Sequence, residues 1–130
     1  EHIKEWWGPD GFSLTIRSMN VEPGKTWDSV MHGWGQDWDS KIEYVEVKNP
    51  SLLSYKHFGE SEDYNFTVSV LFEEVEGKTL LTMKSAFKSK AIIEELNRRV
   101  KAIEGGKQTL NRLENYLTTL RTFSNISVIF

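Results

Sequence analysis

The chain has 130 residues, a formal net charge of −3 and no cysteine. This length fits one domain with its own hydrophobic core, and the mild negative charge argues against a nucleic-acid partner bound through phosphate neutralisation. Without cysteine there is no disulfide, thiol nucleophile or thiolate metal site, which fits a reducing, cytoplasmic location, and no apolar run approaches the roughly 20 residues that span a bilayer.

The first predicted element is a short helical run that ends in two adjacent tryptophans, Trp6 and Trp7. The sequence Gly-Pro-Asp-Gly follows at 8–11, and such strong turn residues predict a corner that leads into a strand. Aromatic residues are frequent throughout, with five tryptophans, four tyrosines and seven phenylalanines. Side chains of this size either fill a core or line a cavity.

Residues 13–87 alternate between apolar and polar positions and are divided by turn residues at short intervals. This pattern predicts an antiparallel meander with one buried face. The predicted strands cover 13–21, 25–32, 41–48, 52–58, 64–75 and 79–87, with a loop at 33–39. Alternation places Trp27 opposite His32, and it places Val45 and Val47 opposite Tyr44.

From about Lys90 to Arg121 the apolar residues recur at helical spacing, which predicts one long amphipathic helix with Ser89 as its N-cap. Gly105 and Gly106 lie inside this stretch and indicate either a bend or a close approach to the sheet. A curved sheet followed by one such helix is an α+β arrangement. A helix laid across a curved sheet leaves room for a space between them.

The candidate ligand-binding residues are the bulky side chains that would face this space, together with two histidines. Apolar walls with a few polar groups are typical of small-molecule sites, although the same side chains also suit ordinary core packing. The full set is Trp6, Trp7, Trp27, His32, Tyr44, Tyr55, His57, Phe66, Phe72, Met83 and Phe87. Arg17 and Lys84 are further candidates for polar contacts.

The sequence predicts no metal site, no cofactor and no catalytic residue. The three histidines, His2, His32 and His57, have no metal-ligand spacing, and neither an HExxH nor an EF-hand pattern is present. No GxSxG elbow and no glycine-rich phosphate loop before a helix can be found.

Three segments resemble the activator of heat-shock-protein ATPase homologue-like family, within the START-like (polyketide cyclase and lipid-transfer) superfamily. They are HIKEWWGPDGF at 2–12, VEPGKTW at 21–27 and GGKQTLNRL at 105–113. The first segment is the most specific. Lys25 replaces a usual glycine in the second segment, and Gly106 replaces a usual tryptophan in the third.

The resemblance implies a helix-grip fold over residues 1–121, with two short helices near the N-terminus and an internal cavity for an apolar or amphipathic ligand. It also implies a bacterial protein, and a chaperone as a second kind of partner. Family members begin with a strand and a helix that have no counterpart before Trp6. The strand-like tail at 122–130 either replaces that first strand, within its own chain or by exchange with a neighbour, or is unrelated to it.

Three functions remain open at this stage. The first is binding of a small hydrophobic ligand without catalysis. The second is a cyclase or hydrolase, which requires a polar pair facing the cavity, such as His32 or His57 with a carboxylate. The third is activation of a chaperone ATPase, which requires an exposed apolar patch. Because strand edges left open favour association, both a monomer and a homodimer are compatible with the sequence.

Overall fold

The computed structural model describes residues 2–120 and 126–129. A 3-10 helix, His2–Glu5, precedes the corner at Gly8–Gly11, where both glycines have positive φ angles of 103° and 85°. Six strands then follow in antiparallel order: β1 (Ser13–Met19), β2 (Thr26–Gly33), β3 (Gln36–Lys48), β4 (Leu52–Phe58), β5 (Phe66–Val75) and β6 (Lys78–Phe87). The predicted antiparallel α+β fold is confirmed, with six strands and two helices.

The predicted loop at 33–39 is instead a two-residue hairpin that joins β2 to β3. Gly33 pairs with Gln36, and only Trp34 and Gly35 lie between them. Both have positive φ angles, 54° and 76°, which is the backbone geometry that tight hairpins need. Tryptophan rarely occupies such a position, so Trp34–Gly35 is not a typical hairpin signal and β3 begins at Gln36, earlier than the predicted start at residue 41.

A bulge interrupts the pairing of β3 with β4 between Tyr44 and Glu46. The extra residue, Val45, is 59% exposed, whereas Val47 returns to the core side with Tyr44. The prediction that Val45 and Val47 share one face is therefore wrong, because a bulge shifts the two-residue period by one.

The predicted single helix is divided into α1 (Lys90–Val100) and α2 (Ala102–Leu120). Ser89 caps α1 as predicted, since its hydroxyl oxygen accepts from the Ile92 N–H at 3.2 Å. Lys101 ends α1 in the left-handed conformation, with φ 51° and ψ 51°, and its N–H donates to the Asn97 carbonyl. The break lies there and not at Gly105, and Arg121 is outside the described residues.

The core lies between the concave face of the sheet and α2. Leu110, which is 1% exposed, is the α2 residue at the centre of the core. The buried cluster consists of Leu14, Trp27, Ile42, Tyr44, Tyr55, Val68, Val70, Leu81 and Leu110.

A short strand, β7 (Ile126–Ile129), pairs with β6 in parallel, from Thr79↔Ile126 to Thr82↔Ile129. This position is at the β6 edge of the sheet. That the tail replaces the first strand of the family stays a prediction, as does the division into 1–121 and 122–130, since residues 121–125 and 130 are outside the described part.

Candidate functional site

A cavity of about 310 Å³ lies between the sheet, α2 and the N-terminal corner. Apart from Thr79, the described side chains around it are aliphatic or aromatic, and among the aromatic ones the tyrosines and tryptophans carry polar atoms. The lining residues are Ile3, Trp6, Trp7, Trp27, Ile42, Tyr44, Leu53, Tyr55, Val70, Phe72, Thr79, Leu81, Met83, Leu110, Leu113 and Leu117.

Strand alternation and helical periodicity bring these side chains together. Neighbouring strands pair Tyr44 with Tyr55, and Phe72 with Leu81, so that alternate residues of each strand face the same space. On α2 the lining residues are three and four positions apart, which keeps them on one side of the helix. Sheet and helix thus form two opposing apolar walls.

The N-terminal corner forms the third wall and is fastened to both others. The ring of Trp7 packs edge-on against Trp27 of β2, with ring centroids 4.9 Å apart. Arg112 of α2 donates from Nη1 to the carbonyl oxygens of Gly8 and Pro9, each at 2.9 Å, and of Trp7 at 3.3 Å. One guanidinium therefore closes the corner onto the helix.

Gly105 allows the helix to approach this corner closely. A Cβ added at Gly105 would lie 3.3 Å from Cγ of Pro9, whereas one added at Gly106 would meet nothing within 4 Å. Of the two explanations considered for the glycine pair, close approach holds for Gly105, although the neighbour is the corner and not the sheet. Gly106 has no such constraint.

Two tyrosines are the principal polar groups of the cavity wall. Burial raises the pKa of Tyr44 to about 12 and also raises the pKa of Tyr55, so both phenols are protonated at neutral pH. Neither hydroxyl has a hydrogen-bond partner within the described part of the chain. No Asp, Glu, Lys, Arg or His lines the cavity formed by these residues.

Seven of the eleven candidate residues line the cavity, namely Trp6, Trp7, Trp27, Tyr44, Tyr55, Phe72 and Met83, and four do not, namely His32, His57, Phe66 and Phe87. His32 lies on the opposite face of β2 from Trp27. Its Nδ1 is 2.6 Å from an Asp37 oxygen and its Nε2 is 2.8 Å from the Thr15 hydroxyl, in an exposed cluster on the outer surface.

His57, Phe66 and Phe87 lie on the inner face of the sheet but beyond the cavity. They form a stack in which the Phe66 ring is 4.8 Å from that of His57 and 4.5 Å from that of Phe87. Burial lowers the pKa of His57, whose Nε2 is 3.5 Å from the Ser40 hydroxyl. Neither histidine thus supplies the cavity-facing polar pair that the enzyme hypothesis requires.

Two other sequence candidates also lie outside the cavity. Arg17 pairs with Asp39 on the outer surface at 3.2 Å, and Lys84 is exposed on β6. The lining residues absent from the candidate set are mainly aliphatic, such as Ile42, Leu81 and Leu110. The same strand alternation and helical spacing that place the aromatic candidates also place these aliphatic residues on the cavity side.

Neither a metal-binding cluster nor a membrane-spanning helix is found in the described residues. Among residues 2–120, no three Asp, Glu or His side chains are grouped so that they could hold a metal ion. None of the helices described is long and apolar enough to cross a membrane.

Comparison with known proteins identifies relatives of this fold. A sequence profile of the family described as "Activator of Hsp90 ATPase homolog 1-like protein" matches residues 1–118. No protein with a curated description matches the sequence.

Solved structures from three bacteria resemble the whole fold. A protein from Arthrobacter aurescens is 19% identical with a TM-score of 0.79, and the match covers 90% of this chain and 72% of that one. A Nitrosomonas europaea protein is 18% identical with a TM-score of 0.74 over 93% and 81% of the two chains. A Staphylococcus epidermidis protein is 23% identical with a TM-score of 0.71 over 91% and 76%. At such identities the likeness establishes the fold alone.

Proposed function

We propose that this chain, which belongs to the Activator of Hsp90 ATPase homolog 1-like family, binds a small, predominantly apolar ligand in the cavity between its sheet and α2. The observation that carries the proposal is a hollow of about 310 Å³ with almost wholly apolar walls. A well-packed core of this size would contain few voids larger than a water molecule.

The cavity volume sets the size of the ligand. An apolar cavity of about 150 Å³ holds one benzene molecule. The present cavity, at about 310 Å³, therefore has room for roughly twice as many atoms, about 12 apart from hydrogen. The volume also lies at the lower end of the range for small-molecule sites, about 300–1,000 Å³. Long-chain lipids are consequently poor candidates, whereas compact bicyclic or short-chain compounds fit.

Naphthalene is a suitable first probe because it is apolar and rigid, and its roughly ten atoms apart from hydrogen are fewer than the about 12 that the cavity can hold. We expect isothermal titration calorimetry to detect saturable binding to the wild-type protein. The variant Leu113→Trp places a larger ring into the cavity wall and should weaken naphthalene binding at least tenfold. Leu71→Trp makes the same change at an exposed position on β5 and should leave the affinity unaltered.

Native mass spectrometry of the freshly purified protein provides an independent test. A retained ligand would add mass to the wild-type protein, and this added mass should be absent from the Leu113→Trp variant. Circular dichroism establishes that each variant is folded. If folded wild-type protein binds neither naphthalene nor any copurified molecule, or if Leu113→Trp binds naphthalene as well as Leu71→Trp does, the cavity is not a ligand site.

Family membership also supports a second, separate proposal, activation of a chaperone ATPase. Its test is the rate of ATP hydrolysis by a purified chaperone of the ninety-kilodalton class with and without this protein. Stimulation that persists with the Leu113→Trp variant would show that this activity does not depend on ligand binding. Absence of stimulation at a saturating concentration of this protein would rule out the activator role. A cytoplasmic location and a monomeric or homodimeric state stay predictions.

A further inference from the structure

We infer that the ligand carries an uncharged hydrogen-bonding group, such as a carbonyl, and that the hydroxyls of Tyr44 and Tyr55 bind this group. The inference rests on the proposed function and specifies the class of ligand for the same cavity. Tyr44 and Tyr55 pair directly across β3 and β4, and their ring centroids are 6.3 Å apart.

The two tyrosine residues are buried beside the cavity, and their hydroxyls make no hydrogen bond to the described residues. Tyr44 is 3% and Tyr55 is 6% exposed. A hydroxyl beside an apolar cavity gains from a hydrogen-bond partner, because polar groups in apolar surroundings are usually hydrogen-bonded. A ligand with an acceptor atom at this end of the cavity would supply the partner that the protein lacks.

The surroundings select against a charged ligand. A carboxylate or ammonium group moved from water into an apolar cavity must be paired, because burial of an isolated charge is strongly unfavourable. Within the described part of the chain, no cationic or anionic side chain lines this cavity. Neutral phenols can donate to a carbonyl oxygen or accept from a ligand hydroxyl, and neither interaction requires a counter-ion.

The hydrogen-bonding capacity of the two tyrosines would also let the cavity distinguish ligands of equal shape. A site that offers buried hydrogen-bonding groups disfavours an analogue without the matching atom, because its own groups then stay unpaired. Each net hydrogen bond between neutral groups is worth about 0.5–1.5 kcal/mol, which is roughly a 2- to 12-fold difference in affinity.

The test uses three compounds of matched shape, each with about 11 atoms apart from hydrogen and therefore within the expected capacity. They are the ketone 4-phenylbutan-2-one, the hydrocarbon 3-methylbutylbenzene and the anion 3-phenylpropanoate. We expect the wild-type protein to bind the ketone at least threefold more tightly than the hydrocarbon, and the anion most weakly, in isothermal titration calorimetry.

The variants Tyr44→Phe and Tyr55→Phe remove one hydroxyl each and keep the ring. Each should reduce the ratio of hydrocarbon Kd to ketone Kd, and the double variant should bring it near one. The hydrocarbon Kd should change less than threefold. Tyr64→Phe is the matched control, because the Tyr64 hydroxyl donates to Glu95 outside the cavity and its removal should leave the ratio unaltered.

Equal Kd values for ketone and hydrocarbon in the wild-type protein would overturn the inference while leaving the cavity a ligand site. Tightest binding of the anion, or a ratio that persists in the double variant, would also overturn it. If all three compounds fail while naphthalene binds, the phenols do not recognise a ligand group. If naphthalene fails as well, the proposed function itself is wrong.

Discussion

Replacing Arg112 by methionine is expected to lower the free energy of unfolding by about 2 kcal/mol. Arg112 is half-buried, and its Nη1 donates to three consecutive carbonyl oxygens, those of Trp7, Gly8 and Pro9. A hydrogen bond from a charged group contributes about 1.5–3 kcal/mol. Because one nitrogen serves all three acceptors, we count one strong charge-assisted interaction and not three. Methionine keeps the apolar stem of the side chain but provides no donor.

Thermal and urea unfolding followed by circular dichroism measure this change. For a domain of this size, a loss of about 2 kcal/mol corresponds to a fall in Tm of roughly 6–10 °C. Arg98→Met on the exposed surface of α1 is the matched control and should alter stability by no more than about 0.5 kcal/mol.

The same variant should weaken naphthalene binding, since the corner that Arg112 holds carries Trp6 and Trp7 of the cavity wall. Equal Tm shifts for Arg112→Met and Arg98→Met would refute the reasoning, because the corner would then be held without the guanidinium. If Arg112→Met lowers stability but leaves the affinity for naphthalene unchanged, the corner does not contribute to ligand binding.

Two further predictions concern the glycine pair and the buried phenol. Gly106→Ala should raise the free energy of unfolding by about 1 kcal/mol, the usual preference for alanine in a helix, since a Cβ there meets nothing within 4 Å. Gly105→Ala should gain less or destabilise, because its Cβ would lie 3.3 Å from Pro9; equal urea midpoints for the two variants would contradict this. Burial raises the pKa of Tyr44 from 10.0 to about 12, so the folded state keeps a proton that the unfolded chain releases. Stability should therefore fall as pH rises from about 10 to 12, by up to roughly 2–3 kcal/mol. Between pH 8 and 11.5, the Tyr44→Phe variant should lose less free energy of unfolding than the wild-type protein. Equal losses for the two proteins in urea unfolding would contradict a buried, protonated Tyr44.

The strands and their inner face were predictable from sequence because alternation is a local signal. It identified the face shared by Trp27, Tyr44, Tyr55 and Phe72, and all four line the cavity. Alternation alone says nothing of position along the sheet. His57 shares that face but lies beyond the cavity, in the ring stack with Phe66.

Other features depend on single residues in unusual backbone conformations, which sequence patterns do not reveal. Lys101 divides the two helices at φ 51°, although lysine is a good helix former. Trp34 has a positive φ angle in the hairpin, and the bulge at Val45 reverses the faces of β3 beyond it. In each case the conformation of one residue departs from the preference of its residue type or from the regular period of its strand.

The cavity walls come from two segments that are far apart in the sequence, Ile3–Trp7 and Leu110–Leu117, and from the strands between them. The cavity is consequently complete only after these two distant segments have packed against the strands. Folding dominated by such distant contacts is slow. A small molecule bound in the cavity would therefore stabilise the state in which both segments are packed, and its removal would lower the apparent stability of the fold.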